Sequence, residues 1–339
     1  MKVAFFQFFP PTLWTPGGGE TQFAKTREAL LTLGVEVELF DVWSRKRDYD
    51  IMHVFGSTYQ LSDFVVTAKR LGMKVVVSPI IYTDKPTWKW RIWSRIDRLL
   101  PVPTVYTYRQ RIYEAADLLL PGSQAEAEQL AANFGVPEDR IQVVHLGVDR
   151  ELASATPDPF VKQYGLKDFV LQVGRISNQK GQNRLIRALD GTGLEVVFIG
   201  QADPDDLEEF ERIQELLKTR PWAHYLGPFP SGSPLLASAY AAAKVHVLPS
   251  LVESTGLVNL EAGIAGANVV SVWSPPVYEH LGDDAFYCNP ASIPSIREAV
   301  LKAYEAPRQK RLRQRILNRF TWDRIAQEIL AVYKRILGC

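Results

Sequence analysis

Cysteine is scarce in this sequence, and the two that occur do not suggest a disulfide framework. Cys288 and Cys339 lie far apart and have no metal-binding spacing, which favours a reducing cytoplasm as the setting. A run of about 18 apolar residues is also missing, so no segment is predicted to span a membrane. The first residues, MKVAFFQFFPPTLW, lack the small-residue cleavage site of a signal peptide and predict a buried strand instead.

The sequence also has no large excess of positive or negative charge. The 39 Lys and Arg residues nearly balance the 38 Asp and Glu residues and give a formal net charge of +1, which argues against a general nucleic-acid-binding protein. No Gly-x-Gly-x-x-Gly motif follows a predicted strand, and this counts against a nicotinamide-dependent oxidoreductase. The rest is an ordinary globular composition, with 46% hydrophobic residues in a 339-residue chain whose length suits two domains.

Short apolar runs alternate with amphipathic segments of helical length, a pattern typical of parallel sheets covered by helices. A proline-bearing linker, ASATPDPF at residues 153–160, separates two such series. We therefore predict an α/β fold with two doubly wound, Rossmann-like domains at residues 1–155 and 156–320, followed by a C-terminal helix at 321–339. Ligands of such folds bind at the carboxyl ends of the strands, so a cleft between the domains is the expected site.

The apolar runs also predict individual elements. Ser123 is placed to cap a helix at residues 125–133. The predicted strands of the first half are KVAFFQFF, VEVELFDV, IMHVFG, KVVVSPI, ADLLLPGS and RIQVVHLGVD, and those of the second half are FVLQVGRI, LEVVFIG, AHYLGP, KVHVLPS and NVVSVW.

Two loops of the second half carry residues suited to an anionic ligand. In VGRISNQKG, Arg175 and Lys180 follow a strand, and a guanidinium and an ammonium group on one loop could hold two phosphates; a solvated loop is the commoner explanation of such a pair. In PSLVESTGLVNLEAG, Glu253 lies in a loop and a helix starts after Gly256, so backbone amides there could bind an anion. Glu261, about a turn further on, could reach hydroxyl groups of the same ligand.

The order of these motifs resembles the donor half of the retaining glycosyltransferases of family 4, which have the GT-B fold. Strand-Gly-Arg-loop-Lys-Gly comes first, then strand-Ile-Gly, then Leu-Pro-Ser-loop-Glu with a second Glu eight positions on. The family's Gly-Gly-x-Glu loop and first helix are resembled by TPGGGETQFAKTREALLTLGVEVELF. The end of its acceptor domain is resembled by ADLLLPGSQAEAEQL and FGVPEDRIQVVHLGVD, and its C-terminal helix by FTWDRIAQEILAVYKRIL. The resemblance implies an acceptor-binding first domain, a donor-binding second domain and a last helix that returns to the first.

The resemblance also implies roles for single residues. Arg175 and Lys180 would hold the diphosphate and stabilise the leaving charge, Glu253 would contact the sugar, and Glu261 would bind the ribose. The implied catalytic residues are Glu253, Arg175, Lys180 and His53; the implied donor-binding residues are Gly174, Arg175, Lys180, Gly200, Ser254, Thr255, Gly256, Leu257, Val258 and Glu261; and Gly17 and Gly18 would line the acceptor-side loop.

By the same resemblance, the expected activity is a retaining, metal-independent hexosyl transfer from a nucleoside diphosphate sugar to a glycan or polyprenyl-linked acceptor. UDP is the expected nucleotide, and GDP, which also occurs in the family, stays open. No cofactor and no nucleic-acid partner is expected. The implied role is bacterial exopolysaccharide or glycolipid biosynthesis, in the cytoplasm or at the inner face of the cell membrane. A second interpretation stays open: a catalytically degenerate GT-B protein that binds a nucleotide sugar without transferring it.

The chain departs from the family pattern at three places. Ser78-Pro79-Ile80 stands where the family often has a histidine that contacts the sugar, and this loss suggests the degenerate alternative. His53, in YDIMHVFGS, resembles a separate family histidine, and both a site role and a structural role stay open. Thr255 replaces the usual aromatic residue of the Glu-loop, and Leu146 replaces the Asn of an Asn-Gly-Val-Asp segment.

The segment ADPDDLEEF contains the Asp-x-Asp spacing of metal-dependent glycosyltransferases in Asp203 and Asp205. It directly precedes a predicted helix. We therefore interpret it as an N-cap with acidic residues in the first helical turn, and we expect no metal.

Residues 85–100, KPTWKWRIWSRIDRLL, are basic and rich in tryptophan. As a helix, they would place Arg91, Arg95 and Arg98 opposite a broad apolar face. Such a helix suits an anionic membrane interface, and a core helix with a solvated rim explains the pattern equally well. The predicted apolar face consists of Trp88, Ile92, Trp93, Ile96, Leu99 and Leu100.

Overall fold

The structure, a computed structural model, describes residues 1–8, 17–97, 99 and 102–338. These residues form two compact units: a first unit of Met1–Gly147 with Trp322–Cys339, and a second unit of Val148–Thr321. The first unit thus ends at Gly147, where the sequence placed the boundary at residue 155. The amide of Val148 donates to the carbonyl of Phe320 at 2.9 Å, which ties the chain after Gly147 to the second unit.

The first unit contains a five-stranded parallel sheet and its covering helices. Its strands are β1 (Lys2–Gln7), β2 (Glu36–Leu39), β3 (Ile51–Phe55), β4 (Lys74–Ser78) and β5 (Leu118–Leu119), and its first five helices are α1 (Gly18–Thr32), α2 (Ser62–Arg70), α3 (Thr87–Asp97), α4 (Val105–Ala115) and α5 (Gln124–Phe134). The strand order is β2-β1-β3-β4-β5, one of the two common doubly wound orders.

The central strands of this sheet are apolar because both of their faces are covered. All five residues of β3 are buried, as expected of a parallel strand between helical layers. The register pairs His53 of β3 with Phe5 of β1 and Val76 of β4. Alternating residues of β3 and β4, including Met52 and Val75, pack with Val65 of α2 in the core of the unit.

The second unit contains a six-stranded parallel sheet. Its strands are β6 (Val170–Val173), β7 (Val196–Ile199), β8 (Ala223–Tyr225), β9 (Val245–Leu248), β10 (Asn268–Val272) and β11 (Phe286–Cys288), and its helices are α6 (Asp158–Tyr164), α7 (Gln182–Leu189), α8 (Leu207–Lys218), α9 (Pro234–Ala242), α10 (Leu257–Ala265), α11 (Pro275–Leu281), α12 (Ile293–Glu305) and α13 (Lys310–Arg319).

The strand order of this sheet, β11-β10-β9-β6-β7-β8, fixes where a ligand should bind. Counted from β6, it is the 3-2-1-4-5-6 order of a dinucleotide-binding fold, and the chain reverses direction across the sheet between β6 and β9. Loops that leave the carboxyl ends of these two strands diverge to opposite sides, which opens a crevice at the sheet edge. The sheet therefore places its best ligand position after β6 and β9.

Most of the predicted elements are confirmed, and two deviations have a physical cause. The hydroxyl of Ser123 accepts a hydrogen bond from the amide of Glu126 at 3.2 Å and caps α5 as predicted. The prediction of a strand over RIQVVHLGVD was wrong, because Ile141 bridges to Leu119 whereas Val148 bridges to Thr321, and the stretch follows no single partner strand. Strand β11 is only three residues long and was not predicted.

The last helix, α14 (Trp322–Leu337), packs against α1 of the first unit. Its fully buried Tyr333 reaches the sheet, where the phenol oxygen lies 2.5 Å from Nδ1 of His53. Residues from the far end of the chain therefore complete the interior of the first unit.

Candidate functional site

The candidate site lies at the carboxyl edge of the second sheet, in the loops that follow β6 and β9. Arg175 and Lys180 belong to the first loop, between β6 and α7, and Glu253 belongs to the second, between β9 and α10. Because these two strands are neighbours at the switch point of the sheet, residues more than seventy positions apart in sequence meet there.

The contact that joins the two loops is an ion pair. Nζ of Lys180 lies 2.8 Å from Oε2 of Glu253, and the two side chains are only 21% and 10% exposed. The hydroxyl of Ser250 donates to the same carboxylate oxygen at 3.2 Å. A cation and an anion are thus held together where the fold would place a ligand, and the low exposure limits screening by water.

The loop after β6 is held by side chains beneath it. Gln172, buried in β6, donates through Nε2 to the carbonyl of Lys180 at 2.7 Å. Gln182, buried at the start of α7, donates to the carbonyl of Arg175 at 2.8 Å and accepts from the amide of Ser177 at 3.3 Å. These bonds hold the loop backbone at Arg175, Ser177 and Lys180, the positions from which the two cationic side chains extend.

The guanidinium of Arg175 is more exposed and lies farther from its carboxylate partner than the ammonium of Lys180. Its Nη1 lies 3.4 Å from Oδ2 of Asp203, but the Arg175 side chain is 42% exposed, and an ion pair at that exposure contributes less than about 1 kcal/mol. The predicted N-cap hydrogen bond of the acidic segment is absent from α8: the carboxylate of Asp206 instead accepts from the amide of Asn178 at 2.7 Å. The acidic segment therefore borders the phosphate-binding candidates.

Two glycines let backbone come close to this edge. A Cβ atom on Gly200, directly after β7, would lie 1.9 Å from the carbonyl oxygen of Gly174, so neither a methyl group nor a larger side chain fits there. Gly256 caps α10 in the left-handed conformation, with φ of 66°. The amides of Leu257 and Val258 begin the helix and have no acceptor within it. Ser254 and the buried Thr255 precede this turn.

Glu261 has a hydrogen-bond partner, Tyr240, that the sequence did not predict. The phenol of Tyr240, in α9, donates to Oε2 of Glu261 at 2.6 Å. Tyr240 is fully buried, and burial together with the Glu261 carboxylate raises its pKa well above the usual value of 10, so the phenol keeps its proton and its donor role. Tyr240 lies in PLLASAYAA, an apolar helix with no polar pattern that could have marked it.

The other predicted site residues, His53, Gly17 and Gly18, belong to the first unit. His53 is fully buried, with Nε2 3.0 Å from the hydroxyl of Ser78 and Nδ1 bonded to Tyr333. Burial lowers its pKa to about 3, so the ring is neutral at physiological pH. This arrangement favours the structural alternative for His53. Gly17 caps α1 and donates its amide to the carboxylate of Glu20 at 2.8 Å, and Gly18 is the first residue of that helix.

Neither a membrane-spanning helix nor a metal-binding cluster occurs in the part of the chain that the structure describes. Within residues 1–8, 17–97, 99 and 102–338, no helix has both the length and the apolar character needed to cross a bilayer. The same part of the chain holds no group of three or more His, Cys, Asp or Glu side chains that could bind a metal ion.

Two family models match the chain, one on each side of the linker. The model of glycosyl transferases group 1 matches residues 159–319, which contain every residue of the candidate site in the second unit. The model of glycosyltransferase family 4 matches residues 40–152.

Individual relatives agree with these models. A D-inositol 3-phosphate glycosyltransferase of Catenulispora acidiphila is 36% identical over 182 residues, which cover 47% of this chain and 42% of the relative. An uncharacterized glycosyltransferase of Methanocaldococcus jannaschii is 30% identical over 241 residues, 66% of this chain and 60% of the relative. The chain thus spans about half the length of the curated relatives it matches.

The fold is shared with solved structures. The HepE protein of Anabaena, in complex with UDP-glucose, superimposes with a TM-score of 0.78 over 99% of this chain and 100% of that protein, at 17% sequence identity. This likeness confirms the GT-B fold of two Rossmann-like domains that the sequence predicted.

Proposed function

The chain belongs to the group 1 and family 4 glycosyltransferases, and from this membership we propose that it transfers a sugar from a nucleoside diphosphate sugar to a hydroxyl group of an acceptor. The observation that carries the proposal is the contact of Lys180 with Glu253 at 2.8 Å. It brings a phosphate-binding cation and a hydroxyl-binding carboxylate together at the switch point, where doubly wound folds bind nucleotides.

In this proposal the two cations act on the diphosphate. Lys180 and Arg175 hold its oxygens, and their charges stabilise the negative charge that grows on the leaving phosphate as the sugar departs. The amides of Leu257 and Val258, at the start of α10, add partial positive charge to the same anion. Since the loop backbone is held before binding, only the side chains have to adjust when the donor binds.

The two carboxylates then act on hydroxyl groups. Glu253 accepts from the sugar once the phosphate has drawn Lys180 away, and Glu261, oriented by Tyr240, accepts from the ribose. Neither needs to form a covalent bond to the sugar. We propose retention of the anomeric configuration, with the leaving phosphate assisting the incoming acceptor on the same face, and we propose that no metal takes part.

For the donor we propose a UDP-hexose, which is supported by the UDP-glucose bound to the structurally similar Anabaena protein. For the acceptor we propose a glycan or a polyprenyl-linked sugar in bacterial exopolysaccharide or glycolipid biosynthesis, at the inner face of the cell membrane. The name of the Catenulispora relative adds a phosphorylated polyol as an acceptor class to be tested.

The experiment has two stages. Thermal shift with UDP-, GDP- and ADP-sugars first identifies the donor, and the purified chain is then assayed for nucleoside diphosphate release with and without polyprenyl-linked, glycan and inositol phosphate acceptors. We expect stabilisation by a UDP-sugar and slow hydrolysis even without an acceptor. Stabilisation with neither transfer nor hydrolysis would instead establish the non-catalytic binding protein, and no stabilisation by any of the three donors would refute the proposed donor site.

A further inference from the structure

The outward side of α3 is apolar, although the helix packs on the first unit through its other side. Trp90 packs against the core, with its ring 5.8 Å from that of Phe134. The outward residues are between 42% and 58% exposed, and they form what we call the α3 face: Trp88, Ile92, Trp93 and Ile96. The core-helix alternative is therefore wrong for these residues; of the other members predicted, Leu99 is exposed and Leu100 lies outside the described residues, as does Arg98.

An exposed apolar stripe of this kind is unusual on a soluble surface and marks a place where something else docks. Three of its four members follow at intervals of four residues, so they lie along one line of the helix. The apolar surface continues beyond the helix through Val102 and Val105, which are also exposed. The patch is thus long and narrow, as on helices that lie flat in a membrane interface.

The charges around the α3 face are mostly positive. Lys85, Lys89 and Arg95 are exposed beside it, and Nζ of Lys89 lies 5.6 Å from the centre of the Trp88 ring. Two carboxylates lie nearby: that of Asp84 is exposed, and that of Asp97 accepts hydrogen bonds from the Thr107 hydroxyl. The whole chain has a net charge of only +1, so this excess of cations is local.

A pocket opens next to the α3 face, between α3 and α4. Its volume is about 510 Å3, within the range of small-ligand sites. Three cationic side chains line it, those of Lys85, Lys89 and Arg109, together with the aromatic rings of Trp90, Trp93 and Tyr106. Cations at the rim and rings on the walls match a ligand with an anionic head and an apolar body.

We propose that the α3 face docks on an anionic phospholipid bilayer and that the pocket receives the phosphate headgroup of one lipid. The tryptophans enter the headgroup region, the isoleucines reach the acyl boundary, and the lysines remain at the phosphates. A second copy of the chain is a poorer occupant, since two such faces would bring cations against cations. The inference is independent of the transfer reaction and would place the enzyme where a lipid-linked acceptor resides.

The test is sedimentation of the full chain with vesicles, without donor or acceptor. Vesicles of phosphatidylcholine mixed with phosphatidylglycerol should bind the protein in a salt-sensitive way, and vesicles of phosphatidylcholine alone should not. Replacing both tryptophans (Trp88→Ser, Trp93→Ser) should weaken binding at least about tenfold. Replacing both lysines (Lys85→Gln, Lys89→Gln) should weaken it about thirtyfold, the equivalent of about 1 kcal/mol for each charge.

Matched controls separate this surface from general stickiness. Trp43→Ser removes another exposed tryptophan of the first unit, and Lys162→Gln with Lys167→Gln removes two exposed lysines of the second; both controls should bind vesicles like the wild type. All variants should keep the wild-type melting temperature and UDP affinity, since none touches the donor site. No binding to anionic vesicles, equal losses in the controls, or a tryptophan-dependent dimer in sedimentation velocity would each overturn the proposal.

Discussion

Substituting Lys180 and Glu253 one at a time gives the most direct test of the donor site. The two groups lie 2.8 Å apart and are mostly shielded from water. A diphosphate must therefore compete with Glu253 for Lys180. Losing Lys180 and losing Glu253 should consequently change UDP affinity in different directions.

The magnitudes follow from the burial of the pair. Lys180→Ala removes one hydrogen bond between charged groups, worth about 1.5–3 kcal/mol, so the Kd for UDP should rise about 10- to 150-fold. Glu253→Gln removes the competing charge, so the Kd for UDP should stay the same or fall. The same variant loses the carboxylate that we assign to the sugar, so transfer should slow by roughly 10- to 100-fold.

Isothermal titration with UDP and with the UDP-sugar measures both effects on the same samples. Wild type should prefer the UDP-sugar to UDP, and Glu253→Gln should lose most of that preference. Lys162→Ala, on an exposed position of α6, is the charge-matched control and should leave both affinities unchanged. The reasoning fails if Glu253→Gln weakens UDP as much as Lys180→Ala does, because the carboxylate would then hold the loop instead of competing with the phosphate.

Three further predictions concern Tyr240, two buried histidines and Gly200. Tyr240→Phe removes the hydrogen bond to Glu261 and should raise the donor KM by about 3- to 30-fold with little change in kcat. The variant should also discriminate less between UDP and its dideoxyribose analogue. Unchanged discrimination would contradict the proposed ribose role of Glu261. His53 and His246 are buried with pKa values of about 3, so the unfolded state binds more protons than the folded state below about pH 6.5. Each histidine should therefore lower the free energy of unfolding by about 2 kcal/mol at about pH 5. Urea denaturation should show this fall with decreasing pH, and His53→Gln should make the fall shallower. Gly200→Ala would place a methyl group 1.9 Å from the Gly174 carbonyl and should lower the melting temperature sharply, whereas Gly19→Ala, within α1 and in ordinary contact at 3.5 Å, should leave it unchanged or higher.

The architecture could be predicted from the sequence because the apolar runs and the turn residues indicate where each strand begins and ends. Runs such as LEVVFIG and KVHVLPS are short, apolar and bounded by glycine or proline, and they form β7 and β9 with almost the predicted limits. The order of strands in each sheet was beyond such reasoning, because it depends on which runs pair across long stretches of chain. The strand predicted over RIQVVHLGVD failed for the same reason: its apolar residues had no single partner to pair with.

The candidate site was predictable only where its residues form a motif. Arg175, Lys180, Glu253 and Glu261 stand out by their order along the chain. Tyr240 does not, because one phenol in an apolar helix looks like any core residue until its 2.6 Å contact with Glu261 is seen. The members of the α3 face were predicted from the sequence, but their exposure was not, because the pattern fits a core helix equally well and only the packing of Trp90 shows which side turns inward.

The pairing of the site's charges explains how the site could favour a sugar donor over a bare nucleotide. Lys180 is paired with Glu253 and Arg175 faces Asp203, so the loops present little net positive charge. When a diphosphate takes Lys180, the mostly buried Glu253 keeps only the Ser250 hydroxyl, and an underbonded buried carboxylate costs about 1–3 kcal/mol. A sugar hydroxyl can repair that loss, whereas UDP alone cannot. We therefore expect the pair to favour a sugar donor over the bare nucleotide, by about 5- to 150-fold in affinity.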